Sequence, residues 1–286
     1  MASTLIDDPQ TLVSTDWLAA HIKDSDLRIF DATWFLPNMN RDAKAEYAAG
    51  HIPGARFFDI DEIADLRSEL PHMVPPVEKF MSRMRAMGVG DGHKVVVYDA
   101  MGLFSAARVW WLFRMMGQKN IAVLDGGLPK WHASGHAITT DKPTIRDRHM
   151  TVVQQKNLVR DVTQVARAAK LGDHTIIDAR AAARFRGDAD EPRPGMRKGR
   201  IPGSQNVPYT DLLKADGTMK DPDGIRAAFH TAGADLSKPV ITTCGSGVTA
   251  AILSLALERI GKTDHSLYDG SWSEWGMYAD LPIATG

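Results

Sequence analysis

The chain has 286 residues, of which 44% are hydrophobic, 24% charged and 7% aromatic, a globular composition that excludes collagen-like, low-complexity and wholly disordered classes. Its 34 basic and 35 acidic residues leave a formal charge of −1, so no overall charge excess suggests a nucleic-acid groove or an anionic membrane surface. There is no run of about 18 apolar residues to span a bilayer, and the length suits two domains.

Read in chain order, residues 1–9 lack the basic start and apolar stretch of an export signal. Together with a single cysteine, this predicts a cytoplasmic protein stabilised by packing rather than by disulfides. The next segments are most informative in pairs. Leu27-Arg-Ile-Phe-Asp31-Ala32 returns as Thr175-Ile-Ile-Asp178-Ala179, and His51-Ile-Pro-Gly-Ala55 as Arg200-Ile-Pro-Gly-Ser204. Val95-Val-Val-Tyr-Asp99, followed by Gly102, returns as Val240-Ile-Thr-Thr-Cys244, followed by Gly247. Leu124-Asp-Gly-Gly127 with Trp131 returns as Tyr268-Asp-Gly-Ser271 with Trp275. The offsets are 147, 149, 145 and 144 residues, so the order is kept throughout. Any one match is a common turn fragment, but four in order indicate an internal duplication.

Within each half, a short β-branched run (Val95–Val97, Val240–Thr243) precedes a helical pattern (Ser105–Met116, Thr249–Ile260), with Gly261 placed to end the second helix. Alternating strands and helices predict an α/β fold built on mostly parallel sheets. The polar, aperiodic stretch Thr139–Met150 predicts a linker. The expected organisation is therefore 1–138, a linker at 139–157, and 158–286. His51 is read as a structural turn residue, and Trp110, Trp111, Trp131, Trp272 and Trp275 as core or domain-interface groups rather than stacking platforms.

Cys244 carries the chemistry. It ends a buried-strand pattern and is followed by Gly245-Ser246-Gly247-Val248-Thr249 and a helix. Glycines let the backbone curl around one atom, so several N–H groups and a helix N-terminus converge there and favour a thiolate. A lone cysteine after such a strand is otherwise often an inert small hydrophobe; the Gly-x-Gly loop leading into a helix favours the reactive reading. The first half has Asp99 at the matching place, so only the second half can perform thiolate chemistry. A cysteine phosphatase needs an arginine six residues on, where this chain has Ala250. A redox Cys-x-x-Cys pair is excluded by the count, and the strand-to-loop context argues against a cysteine protease.

The loop Cys244-Gly-Ser-Gly-Val-Thr249 resembles that of the 3-mercaptopyruvate sulfurtransferases, a family of the two-domain rhodanese superfamily, and most closely its bacterial members. The likeness extends over Asp31-Ala-Thr-Trp34, His51–Asp61, Leu70-Pro-His-Met73, Gly102–Trp111, Arg184-Phe-Arg, Asp190-Glu-Pro-Arg193, Gly199–Gly203 and Tyr268–Trp275. It implies two tandem rhodanese-like domains with a substrate site in the cleft between them. It further implies that sulfur passes from 3-mercaptopyruvate to Cys244, releasing pyruvate, and on to a thiol such as thioredoxin or to cyanide, with no metal, cofactor, nucleic acid or membrane involved.

The resemblance assigns Cys244 as nucleophile and residues Gly245, Ser246, Gly247, Val248 and Thr249 as its cradle. Arg184 and Arg193 would hold the substrate carboxylate, a role suited to guanidinium forks. Asp61, His72 and Ser246 would move protons. Phe104 stands where some relatives have tyrosine, which removes one hydroxyl from the substrate's possible partners. Thiosulfate-using members carry Arg and Lys after the cysteine, whereas Gly245 and Ser246 are neutral. Two readings compete with the main one: a thiosulfate:cyanide sulfurtransferase, and a non-catalytic sulfur carrier or binding module.

Overall fold

The computed structural model describes residues 7–286; the N-terminal residues used above to argue against an export signal lie partly outside the described residues. The chain divides into two compact units. The first comprises the residues up to Leu66, Val74–Gln155 and Ala215–Met219. The second comprises Arg67–Met73, Lys156–Lys214 and Lys220–Gly286. The boundaries read from the sequence differ from this partition in the expected linker, of which 139–155 falls in the first unit and 156–157 in the second, and in two short segments, 67–73 and 215–219, which cluster with the unit opposite to their place in the chain.

Each unit is built on a five-stranded parallel sheet. In the first, β1 (Leu12–Val13), β2 (Leu27–Asp31), β3 (Ala55–Phe57), β4 (Lys94–Tyr98) and β5 (Ile121–Leu124) stand in the order β1-β5-β4-β2-β3. In the second, β6 (Val159–Arg160), β7 (Thr175–Asp178), β8 (Gln205–Asn206), β9 (Val240–Thr243) and β10 (His265–Tyr268) stand in the order β6-β10-β9-β7-β8. The two orders are the same, strand for strand, which is the structural form of the sequence duplication. All pairings between these strands are parallel, so helical crossovers cover the sheet and the central strands are buried.

The helices expected at Ser105–Met116 and Thr249–Ile260 are observed at Ala106–Met115 and Ala250–Arg259. The second ends as the sequence indicates, with Gly261 in the left-handed region at φ +79. Both helices are buried along most of their length, as their apolar faces require. Trp110, Trp111, Trp131, Trp272 and Trp275 are buried, and the last two pack with Tyr268 and Ile241 in the core of the second unit.

His51 is buried, with Nδ1 on the Tyr47 carbonyl at 2.8 Å and Nε2 on that of Asp141 at 3.1 Å. It thereby ties down the start of the expected linker. That linker is strapped along the first unit rather than free. Thr139 pairs with His51, Met150 is buried, Thr151 bonds Asp91, and the Gln155 N–H donates to the Met115 carbonyl at 2.7 Å. A segment without periodicity satisfies its backbone against existing elements, which composition alone does not show.

Candidate active site

β9 is a short run of β-branched residues, buried at every position, and it delivers Cys244 to its carboxyl end. Cys244 is itself buried at 2% exposure. Its backbone is held at both ends: the N–H donates to Ser271 Oγ at 3.2 Å, and the carbonyl accepts from the Trp272 N–H at 2.9 Å. The next carbonyl, of Gly245, accepts from the Ser273 N–H at 2.8 Å. The helix Ser271–Trp275 thus clamps the loop from behind.

Ahead of the helix Ala250–Arg259, the N–H groups of Gly245, Ser246, Val248 and Thr249 donate to no acceptor among the described residues. Gly247 has φ +77, a conformation that favours glycine. A Cβ on Gly245 would lie 3.0 Å from Nη2 of Arg184 and would press on that guanidinium. The Arg184 guanidinium therefore lies directly against the main chain that follows Cys244. Ser246 is buried, and its hydroxyl has no partner among the described residues.

Arg184 is oriented by Glu191, whose Oε2 accepts from both its Nη2 and its Nε. The same buried carboxylate receives Arg180 Nη1 at 2.7 Å. Arg180 is bound in turn by Asp178 through Nε and Nη2, and its face lies over the Trp272 ring at 4.3 Å. This chain of alternating charges leaves Nη1 of Arg184 uncommitted. Sequence reasoning missed Arg180, Glu191 and Ser271. Glu191 lay within a quoted motif, and Ser271 was visible as the replacement of Gly127 in the last repeat pair.

Arg193 meets His72, with Nη2 and Nε2 3.3 Å apart. An arginine can only donate, so His72 Nε2 accepts and the ring proton of the neutral imidazole lies on Nδ1. His72 is buried and holds φ +62, an uncommon conformation for a residue with a side chain. Read from the first half of the sequence, it clusters instead with the second unit. Arg193 also lines a cavity of about 550 Å³ with Pro194, Met196, Ser273, Met277 and Tyr278.

The structure thus brings Cys244 and its loop together with Arg184, and Arg193 together with His72. Asp61 belongs to the first unit, where it accepts the Trp34 indole N–H at 2.9 Å. Phe104 is buried and stacks on Trp34, with ring centroids 6.2 Å apart. Among the described residues, no group of three or more His, Cys, Asp or Glu is arranged to hold a metal ion, and no helix is long and apolar enough to cross a membrane.

Two like α/β units, one carrying a cysteine in a strand-to-helix loop beside a guanidinium, define a tandem-domain thiol protein. The chain belongs to the rhodanese-like domain family, whose description fits residues 14–134 and again 161–278. It is similar to the 3-mercaptopyruvate sulfurtransferase of Escherichia coli (strain K12), at 43% identity covering 95% of this chain and 96% of that protein. It is also similar to thiosulfate/3-mercaptopyruvate sulfurtransferase 1, mitochondrial, of Arabidopsis thaliana, at 39% identity over 99% of this chain and 80% of the relative. The crystal structure of SseA from Escherichia coli, described with the rhodanese fold and catalytic mechanism of 3-mercaptopyruvate sulfotransferases, superposes with a TM-score of 0.84 at 41% identity. That match covers 92% of this chain and 99% of SseA.

Proposed function

We propose that the protein is a 3-mercaptopyruvate sulfurtransferase working through a persulfide on Cys244. The observation that carries this reading is the loop itself: one thiol, uncommitted N–H groups from Gly245, Ser246, Val248 and Thr249 around it, and the Arg184 guanidinium against Gly245. The Cys244 thiolate attacks the substrate sulfur, and the carbon–sulfur bond breaks with its electron pair moving to carbon. The resulting enolate of pyruvate takes up a proton, and the sulfur remains on Cys244 as a persulfide. An acceptor thiolate, or cyanide, then attacks the outer sulfur and releases Cys244 as thiolate. Dividing the transfer in two lets one amide cradle serve both sulfur anions.

Arg184, through Nη1, and Arg193 bind the substrate carboxylate. His72, in contact with Arg193, acts with Ser246 and Asp61 in moving the proton to the enolate carbon. Neutral Gly245 and Ser246 offer less to the thiosulfate dianion than a basic loop would, which favours mercaptopyruvate as donor. A lone thiol that must stay reduced suits the cytoplasm, and thioredoxin-like dithiols suit the acceptor role. No metal or cofactor enters this scheme.

Turnover with the two donors tests the assignment. Mercaptopyruvate is expected to be preferred by kcat/KM, and a preference for thiosulfate of about tenfold or more overturns it. Arg184→Ala is expected to raise KM for mercaptopyruvate about tenfold, with a smaller change in kcat. An unchanged KM removes Arg184 from the carboxylate site.

A further inference from the structure

A second concentration of charge lies in the first unit, in no contact with Asp99 or its loop. Arg28 stands near the start of β2 and Arg56 in the neighbouring β3, where it pairs with Phe30. Both are therefore on one face of the sheet. With Thr144, Arg146 and Arg148 from the strapped segment and the backbone of Gly88, they line a cavity of about 280 Å³. Four guanidinium groups face this space, and none forms an ion pair with a carboxylate among the described residues. Asp26, whose charge partly offsets that of the pocket at Arg28, is also paired with Lys94 at 3.3 Å.

Like charges seldom converge in a partly enclosed space unless something offsets them. Here the main chain offsets only part. Arg28 spends its donors on the carbonyls of Gly88, Ser25 and Leu27 and on His93 Nε2. Arg56 makes one long bond, Nη1 to the Gly54 carbonyl at 3.2 Å, while its buried Nε has no hydrogen-bond partner among the described residues. Burial and the charge of Arg148 lower the Arg28 pKa, and burial and the charge of Arg28 lower that of Arg56. The same field reaches His93, which burial and Arg28 push below the ordinary histidine range. The pocket is a region of only partly compensated positive potential with a buried donor pointing nowhere.

We propose that this pocket binds a small multivalent oxyanion of the phosphate or sulfate class, recognised by Arg28, Arg56, Arg146 and Arg148. Guanidinium forks match tetrahedral oxyanions in shape as well as charge, and Thr144 adds a hydroxyl. The volume accommodates inorganic phosphate, sulfate or pyrophosphate but is at the lower limit for enclosing a nucleotide. Arg146 and Arg148 are exposed, so a ligand can enter from solvent, and the segment that bears them is the one strapped to the first unit.

Titration calorimetry on the full chain, in a buffer free of phosphate and sulfate, tests this with four probes: sulfate, inorganic phosphate, pyrophosphate and ADP. Pyrophosphate is expected to bind in the range of about 0.1–1 mM. Tighter binding of ADP than of pyrophosphate would identify a phosphorylated metabolite rather than a free oxyanion as the natural source. Arg148→Gln, at an exposed position, is expected to weaken pyrophosphate binding about tenfold and leave sulfur transfer unchanged. The same variant without anion is expected to melt at or above the wild-type temperature, since it relieves repulsion with Arg28. Arg56→Gln is expected to weaken binding as much or more. The proposal is overturned if no probe gives more heat or thermal shift than sodium chloride at equal ionic strength, or if Arg148→Gln binds as wild type does.

Discussion

The loops after β4 and β9 occupy matching places in two sheets of identical order, yet one carries a carboxylate and the other a thiol. In the first unit Asp99 fills its own cradle: one carboxylate oxygen accepts the Met101 N–H at 2.8 Å, and the other accepts those of Phe104 and Ala106 at 2.8 and 2.9 Å. In the second unit Cys244 takes the same position, and four loop N–H groups find no acceptor among the described residues. The support beneath is shared. The Asp99 carbonyl accepts from Leu128 at 3.0 Å, just as that of Cys244 accepts from Trp272.

What differs lies beside the loop. Asp31 is followed two residues on by Thr33, which closes a small local turn, whereas Asp178 is followed by Arg180, which recruits Glu191 and through it Arg184. Burial raises the Asp99 carboxyl above the usual range, with the bonds from Ala106, Phe104 and Met101 pulling it only partly back. An amide cradle by itself thus falls short of offsetting the burial of an anion. In the second unit the Arg184 guanidinium lies against the main chain just after Cys244, whereas in the first Arg41 reaches only the Met101 side chain of the loop.

The strongest way to break this comparison is to exchange the reacting atoms. Cys244→Ser is expected to lower sulfur transfer by about three orders of magnitude or more, with the melting temperature little changed, because the hydroxyl is nearly isosteric but a poor nucleophile. Adding Asp99→Cys to Cys244→Ser puts a thiol into the first cradle, away from Arg184 and its Glu191 partner. Mass spectrometry after exposure to mercaptopyruvate is expected to show no sulfur adduct on that thiol. An adduct formed there at the wild-type rate would show the guanidinium to be dispensable.

Much of this was legible in the sequence. The duplication, the parallel α/β class, the two long helices and the placing of Cys244 at a strand end followed from β-branched runs, helical patterns and repeat order. The charge network was not legible, because Arg180, Arg184 and Glu191 meet through a long loop whose path no periodicity fixes. The strapped segment was read as a linker because its partners, Asp91, Met115 and His51, are distant in sequence. His72 was assigned to the first half by its number, although it packs with residues more than a hundred positions further on.

Ser271 sharpens the comparison at smaller cost. It occupies the left-handed region at φ +50, where the first unit has Gly127 at φ +55. Its hydroxyl accepts from the Cys244 N–H, lies 3.4 Å from the Thr243 hydroxyl and donates to the Tyr268 carbonyl at 2.9 Å. A hydroxyl there holds the backbone of the nucleophile, and a side chain there strains the turn. Ser271→Gly is expected to lose about 1 kcal/mol of hydrogen bonding and regain a similar amount of backbone strain, leaving stability within about 1 kcal/mol. Activity is expected to fall roughly tenfold, through kcat rather than KM, as Cys244 loses its anchor. A variant as active as wild type would mean that the Trp272 and Ser273 bonds suffice to position the thiol.

The gentlest probe is Asp99→Asn, read by chemical denaturation between pH 4 and 7. A carboxyl whose folded pKa is raised gives stability that is complete below its unfolded value of 3.8 and is lost as pH rises through the folded value. Asp31 is raised in the same direction, by burial first and in small part by the charge of Asp99. Wild-type stability from this pair therefore falls as pH increases over the weakly acid range. Asparagine does not titrate, and its amide group opposes one of the three N–H donors, at a cost of about 1–2 kcal/mol where wild-type Asp99 is protonated. The deficit of Asp99→Asn is thus expected to be largest at the acid end and to shrink toward neutrality. A deficit that instead grows with pH would mean that three amides alone hold a buried anion comfortably, and the guanidinium beside Cys244 would then serve the substrate carboxylate alone.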